Sequence, residues 1–325
     1  MSRVLLLGGT GWLGSRIAER FVAAGADVTC LARGVRPAPA GTRPVAADRT
    51  RPGAYTGLTR TEWDKVVDVT SDAHSAADAV AALGDTARHW TFVSTVSVYA
   101  DDTVVGADES AELVEPDPEA SELDYPQAKA AAEASVRAGV GPRAAIIRPG
   151  LIVGPGDPSD RFGYWVGRFA SAGAEPVLVP DAAGRDASVI DVDDLADFIH
   201  AAGADGWVGT ANAVGDPVPL DDVLAAARAV AGHTGPTLVA GDEWLTEHSV
   251  AYWAGPRSLP LWMPREMVGF ATRSNAVFHA RGGRLRPLAA TLQRTLDDER
   301  ARGLRRDRRA GLTRAEEREL LRALA

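Results

Sequence analysis

Arg3-Val4-Leu5-Leu6-Leu7-Gly8-Gly9-Thr10-Gly11-Trp12-Leu13-Gly14, at the start of the chain, reads as a strand, a tight turn and the first turn of a helix. The apolar run from Arg3 to Leu7 has the length and continuity of a strand buried on both faces. Leu13, Ile17, Phe21 and Val22 then recur at helical spacing between Trp12 and Ala24, and Gly25 closes the helix. The glycines between them satisfy both Gly9-x-Gly11-x-x-Gly14 and Gly8-x-x-Gly11-x-x-Gly14. Without a Cβ, such a turn lets a pyrophosphate approach the backbone, and the helix start adds unpaired N–H groups at the positive end of its dipole. The turn therefore reads as a dinucleotide site, with Gly8, Gly11, Trp12, Leu13 and Gly14 as its candidate contacts.

Moving outward, Asp27–Ala32, Lys65–Val69, Thr91–Ser94 and Arg143–Arg148 read as further strands. Ser75–Leu83 and Tyr125–Ala138 read as helices. Strands alternating with helices predict βαβ units and a mostly parallel α/β sheet covered on both faces, with ligands beyond the carboxyl ends of the strands. After Pro149 the pattern loosens, and Gly154-Pro155-Gly156-Asp157-Pro158 is a turn cluster that suits a domain boundary. Helices are expected near Phe162–Ser171, Val192–Ala201, Asp221–Ala231 and Leu288–Arg302, with a strand near Val177. A last helix, Thr313–Leu324, opens on the capping box Thr313-x-x-Glu316. The stretch from Trp244 to Phe270 is irregular and rich in Trp.

Composition narrows the function. With 325 residues, 46% hydrophobic and 24% charged, the chain is neither collagen-like, coiled-coil nor disordered. No apolar run approaches the ~20 residues of a membrane span, and one Arg before the leucines followed by glycines is no secretory signal. Cys30 is the single cysteine, so no disulfide framework exists and a cytoplasmic, reducing location is expected. The six histidines show no ligand spacing, so no metal is expected. A formal charge of -9 argues against nucleic acid as a partner. That charge is uneven: Arg281–Ala325 sums to +6, which mixed Arg and Glu on solvated helical faces explain.

Two further motifs carry chemistry. Where an Asp or Glu would hold the ribose hydroxyls of NAD, this chain has Arg33, with Arg36 close by. A guanidinium suits a 2′-phosphate, so NADP(H) is expected over NAD(H). Asp48, closing the following strand, is a candidate adenine contact. Tyr125-Pro126-Gln127-Ala128-Lys129 places a phenol and an ammonium on one helical face. With 5 Tyr and only Lys65 and Lys129 in the chain, random placement yields such a pair about 0.03 times. The ammonium favours phenolate, drawing the Tyr pKa down from its reference ~10 and making it an acid/base near neutral pH. Lys129 can also reach the nicotinamide ribose, while a hydroxyl from another strand end, Ser94 or Thr95, would hold the substrate oxygen.

With these residues in view, the chain resembles the extended branch of the short-chain dehydrogenase/reductase superfamily, the NAD-dependent epimerase/dehydratase-like proteins. The matching stretches are Gly8–Gly14, Ser94-Thr95-Val96-Ser97-Val98-Tyr99, Tyr125–Lys129 with Glu133, Arg148–Asp157 and Val189–Ala196. The resemblance implies a doubly wound, Rossmann-type parallel sheet over residues 1–155, rejoined by a segment near 186–215. It also implies a smaller C-terminal substrate domain over 156–325. It makes Thr95, Tyr125 and Lys129 the catalytic set, with Ser94 behind Thr95 near the substrate, Tyr99 near the substrate or packed under the loop, and Asp157, Asp160 and Arg161 either contacting a polar substrate or capping the Phe162 helix. Two departures stand out: Val67-Asp68-Val69-Thr70-Ser71 replaces the usual small residues after the fourth strand, and Val96-Ser97 replaces the acidic pair of the dehydratases. The expected function is an NADP(H)-dependent oxidoreductase reducing a small-molecule carbonyl, or oxidising an alcohol, as a monomer or homodimer. The alternatives are a nucleotide-sugar epimerase or dehydratase and a non-catalytic NADP(H)-binding protein.

Overall fold

The computed structural model describes residues 1–120 and 124–324. Its first strand, β1 (Arg3–Leu7), is flanked by β2 (Asp27–Ala32) on one side and β4 (Lys65–Asp68) on the other, both parallel to it. β3 (Arg43–Ala46) extends the β2 side; β5 (Trp90–Val93), β6 (Ala144–Pro149) and β7 (Gly209–Ala213) extend the other. The resulting seven-stranded sheet runs β7-β6-β5-β4-β1-β2-β3, with every pairing parallel. Strand order reverses between β1 and β4, so the connections leaving their carboxyl ends diverge and open a crevice.

The helices follow the apolar spacing. α1 (Trp12–Ala23) buries Gly14, Ile17, Ala18 and Phe21, and packs against α4 (Val192–Asp205), where Arg20 bonds to Asp193 and Asp197 at 2.7 Å each. α2 (Ala73–Leu83) packs against α3 (Tyr125–Val140) so tightly that a Cβ on Gly139 would lie 1.9 Å from Val80 Cγ1. Asp72 caps α2 by accepting from Ser75 N at 2.7 Å. The core between α2, α3 and the sheet is built on Leu5, Leu7, Trp90, Phe92 and Ile146, all with no exposed surface.

The chain divides into two units. The first comprises Met1–Gly150, Val192–Gly215 and Arg273–Arg284; the second comprises Leu151–Asp191, Asp216–Thr272 and the chain from Leu285 onward. The first boundary lies at Gly150, slightly before the expected 155, and the returning segment begins at Val192. A second return, Arg273–Arg284, was unforeseen in the sequence because it has no periodicity. It holds a five-residue helix, Ala276–Ala280, whose Phe278 packs on Phe198 of α4 with ring centroids 4.7 Å apart.

The second unit is mainly helical, with helices at Arg161–Ala172, Leu220–Ala231, Leu288–Arg302 and Arg314–Leu324 around Phe162, Trp165, Phe169 and Trp262. Trp165 donates to Pro260 O at 2.7 Å and Trp262 to Asp242 Oδ1 at 3.0 Å, so both are packing residues with satisfied N–H groups. The capping box forms: Thr313 N donates to Glu316 Oε2 at 2.8 Å and Glu316 N to Thr313 Oγ1 at 3.3 Å. Among the described residues no helix is long and apolar enough to cross a membrane.

Candidate active site

The glycine turn divides its labour. Gly8 has φ +94°, and a Cβ there would meet Val69 Cγ2 at 2.6 Å. A Cβ on Gly9 would strike Cys30 Sγ at 2.6 Å, and one on Gly14 would strike Gly8 O at 2.3 Å. Those three glycines are required by the protein's own packing of turn, strand and helix. Gly11 differs: a Cβ there would come no nearer than 3.3 Å to any atom, that atom being Gly8 O. Gly11 is the N-cap of α1 and offers no side-chain cap, so the turn and the helix start form a candidate anion cradle. This cradle fits a pyrophosphate.

A cleft of about 660 Å³ opens beside it, lined by Gly8, Thr10 and Gly11 from the turn, Arg33 and Arg36 after β2, and residues following β3 and β4. Among the described residues neither Arg33 nor Arg36 has a carboxylate within ion-pair distance. Asp48 lies in the cleft wall, but its Oδ1 accepts from Thr50 N and Thr50 Oγ1 at 3.1 and 2.8 Å, closing a local turn. Those bonds hold its carboxyl below the usual range. Its neighbour Arg49 pairs with the fully buried Asp68 through two bonds of 2.7 and 2.8 Å. The unusual Asp68 of the fourth strand thus answers Arg49.

The Tyr–Lys motif sits on α3 as expected, and its two members differ in setting. Tyr125 is the first residue of the helix and 38% exposed, whereas Lys129 is 3% exposed and points into the sheet. Lys129 Nζ donates to Thr70 O at 2.7 Å and to Val93 O, and lies 4.5 Å from the centroid of the Phe92 ring. It thereby joins the ends of β4 and β5 immediately behind the cleft wall, of which Thr70 is part. Burial pushes its pKa down to about 8, although the charges of Asp68 and Glu133 oppose the fall. Thr95, two residues beyond Val93, is buried and caps the short turn Val96–Val98. Its Oγ1 accepts from Ser97 N at 3.1 Å and donates to Ser97 Oγ at 3.2 Å. Ser94 is buried, with its N–H bonded to Ile147 O at 2.6 Å.

A buried polar network under this edge escaped the sequence reading. Glu133, one turn beyond Lys129, takes a bidentate pair from Arg148 of β6 at 2.9 and 2.7 Å. Arg148 Nη1 donates to Tyr99 Oη at 3.0 Å, and Tyr99 Oη donates to Asn212 Oδ1 of β7 at 2.6 Å. Burial works against the charge on Glu133, but Arg148 more than offsets it and holds the carboxyl below its usual range. Burial raises the Tyr99 phenol. The guanidinium of Arg273 covers the Tyr99 ring at 4.3 Å and bonds to Asp102 Oδ1 at 2.8 Å. Tyr99 therefore anchors the loop that follows Thr95, with its hydroxyl engaged inside the protein. The signal was present: Arg148 is a lone charge at the end of an apolar strand, which can be buried only with a partner.

Asp157 and Arg161 belong to the second unit. The Asp157 carboxylate is buried, which raises its pKa, and it accepts from Ser159 N and Ser159 Oγ at 2.7 and 3.0 Å. Arg161 bonds through Nε to Ser159 Oγ at 3.2 Å and lies 4.9 Å over the Trp253 ring. Asp160 occupies the cap position of helix Arg161–Ala172 with φ 61° and makes no cap bond. Its carboxylate instead receives Arg302 at 3.2 Å, Arg306, and the N–H of Arg309 at 2.9 Å.

A parallel sheet reversing beside a glycine-lined turn defines a Rossmann-type fold. A sequence model described as the NAD dependent epimerase/dehydratase family matches residues 4–215, and the chain belongs to that family. Its relatives include the 2′-dehydrokanamycin reductase of Streptomyces kanamyceticus, 34% identical over 193 residues, which are 56% of this chain and 53% of that protein. A dTDP-6-deoxy-L-talose 4-dehydrogenase (NAD(P)(+)) of Kitasatospora kifunensis is 33% identical over 232 residues, 63% of this chain and 70% of the relative. The chain thus spans about half the length of the first of these and seven-tenths of the second. A solved mutant of UDP-glucuronic acid 4-epimerase from Bacillus cereus, in complex with a fluorinated UDP-sugar and NAD, superposes with TM-score 0.67 at 13% identity, covering 93% of this chain and 100% of that one. The family is thus one described as NAD dependent, and the two relatives carry the names of a reductase and a dehydrogenase.

Proposed function

We propose that this enzyme uses NADP(H) to interconvert a ketone and an alcohol on a small sugar-derived substrate. The observation that carries the reading is Lys129, buried at the junction of β4 and β5 behind the cleft, one helical turn beyond Tyr125. Gly11 and the first turn of α1 would cradle the pyrophosphate, with Asp48 on the adenosine side. Arg33 and Arg36 would receive the 2′-phosphate, since both line the cleft without a carboxylate of their own. The bound nucleotide supplies the two-electron equivalent.

Tyr125 Oη gives a proton to the substrate oxygen during reduction and takes it back in the reverse direction. Lys129 positions this edge and, as a nearby cation, favours the phenolate. Thr95 Oγ1 orients the substrate oxygen and gives up a bond within its own turn to do so. The printed names of the two relatives, an aminoglycoside reductase and a deoxysugar dehydrogenase, support a sugar-derived substrate.

The test is NADPH oxidation against a panel of keto-sugars. Tyr125→Phe is expected to lower kcat about 10²- to 10⁴-fold while NADPH affinity stays unchanged. Full activity in Tyr125→Phe would contradict the proton-transfer role. Turnover with no net change in NADPH would instead indicate an epimerase.

A further inference from the structure

We propose that Arg49 is the stacking platform for the adenine ring in the nucleotide cleft. The inference rests on the dinucleotide reading above and assigns one more residue to it. Arg49 directly follows Asp48 and lines the cleft, with 12% of its side chain exposed. Its edges are already spent. Nε donates to Tyr55 Oη at 2.9 Å, Nη1 and Nη2 to the Asp68 oxygens at 2.7 and 2.8 Å, and Nη2 also to Ser75 O at 2.8 Å. A guanidinium has five N–H donors, all in its plane, so four of them are committed to protein atoms. What remains to offer a ligand is one Nη1–H and the flat face.

Three further observations point to a base as the occupant. Asp68 neutralises Arg49, so the group is a poor phosphate receptor beside Arg33 and Arg36. No Phe, Tyr, Trp or His lines the cleft among the described residues, so its delocalised planar groups are guanidiniums, and that of Arg49 is held in place by Tyr55, Asp68 and Ser75. Guanidinium planes stack well on nucleobases. Finally, a buried ion pair is often no more stabilising than an apolar pair of similar volume. A role for the plane accounts for a cation kept at the cleft with a buried carboxylate to hold it.

Calorimetric titration of the protein with 5′-AMP and with 2′,5′-ADP tests this without any turnover. Arg49→Lys keeps the charge facing Asp68 and removes the plane. It is expected to weaken both ligands by a similar factor, about tenfold, from lost base stacking. Arg33→Ala, run in parallel, is expected to weaken 2′,5′-ADP alone. Should Arg49→Lys unfold, the double variant Arg49→Leu/Asp68→Leu, which strands no charge, is measured in the same way and with the same expectation. Unchanged AMP affinity in a folded variant overturns the proposal, as does a loss confined to 2′,5′-ADP, which would make Arg49 a phosphate ligand. A parent protein that binds neither ligand overturns the dinucleotide reading itself, and the assignment falls with it.

Discussion

The cleft rim of the first unit and the C-terminal tail of the second are both rich in arginine, and they use it in opposite ways. In the tail many of the cations meet a carboxylate: Arg306 and Arg308 converge on Glu299 at 2.9 and 2.6 Å, Arg294 reaches Asp191 at 3.1 Å, and Arg302 and Arg306 share Asp160. Much of a basic stretch that reads as +6 is, folded, engaged in ion pairs. At the rim, Arg33 and Arg36 stand without such partners among the described residues. Lys129 is intermediate. The two carboxylates whose charges act on it, Asp68 and Glu133, are each held bidentately by an arginine. The lesson is that arginine content says little about function until the pairing is known.

Breaking a tail pair should cost the most. Glu299 is 1% exposed, and Glu299→Ala would leave Arg306 and Arg308 without it. A loss of about 3–5 kcal/mol in urea unfolding is expected; a loss under ~1 kcal/mol would show that these pairs are surface decoration.

Lys129 comes next. Its folded pKa of about 8 lies below the ordinary 10.5, so between those values the unfolded chain binds the proton that the folded protein has released. Stability of the parent relative to Lys129→Met should therefore rise by about 3 kcal/mol as pH climbs through that window, and stay level below it. With Lys65 as the only other lysine, NMR of labelled Lys side chains reads the same titration directly. A Lys129 signal titrating near 10.5 would remove the premise.

Arg33→Ala should leave unfolding unchanged and weaken NADPH about tenfold to a hundredfold, the value of one charge-assisted contact. The smallest effect belongs to the cap of the last helix. Thr313→Ala removes the Oγ1 acceptor of Glu316 N and should cost about 1 kcal/mol in the same unfolding assay.

What could be read in advance was what local sequence determines. β1, the glycine turn, α1 and the Thr313–Glu316 cap depend on neighbours a few residues apart, and their propensities agree with the fold. That Tyr125 and Lys129 share a helix was legible because four residues make about one helical turn. Partners distant in sequence were not. Asp68 and Arg148 each break an apolar run and so announce a buried pair, but nothing in the string names Arg49, 19 residues from the first, or Glu133, 15 from the second. Asp160 reads as a helix cap, yet its carboxylate is claimed by Arg306, 146 residues away. The return of Arg273–Arg284 was hidden for a related reason: its burial depends on Phe198 and Asn212, supplied by other parts of the chain.

The proposed role of Arg33 and Arg36 as receptors of a 2′-phosphate is tested by titrating the parent protein with NADPH and NADH side by side at fixed ionic strength. The account predicts that NADPH binds at least about tenfold tighter, with the advantage lost in Arg33→Asp. Equal affinities in the parent, or tighter NADH, would contradict it.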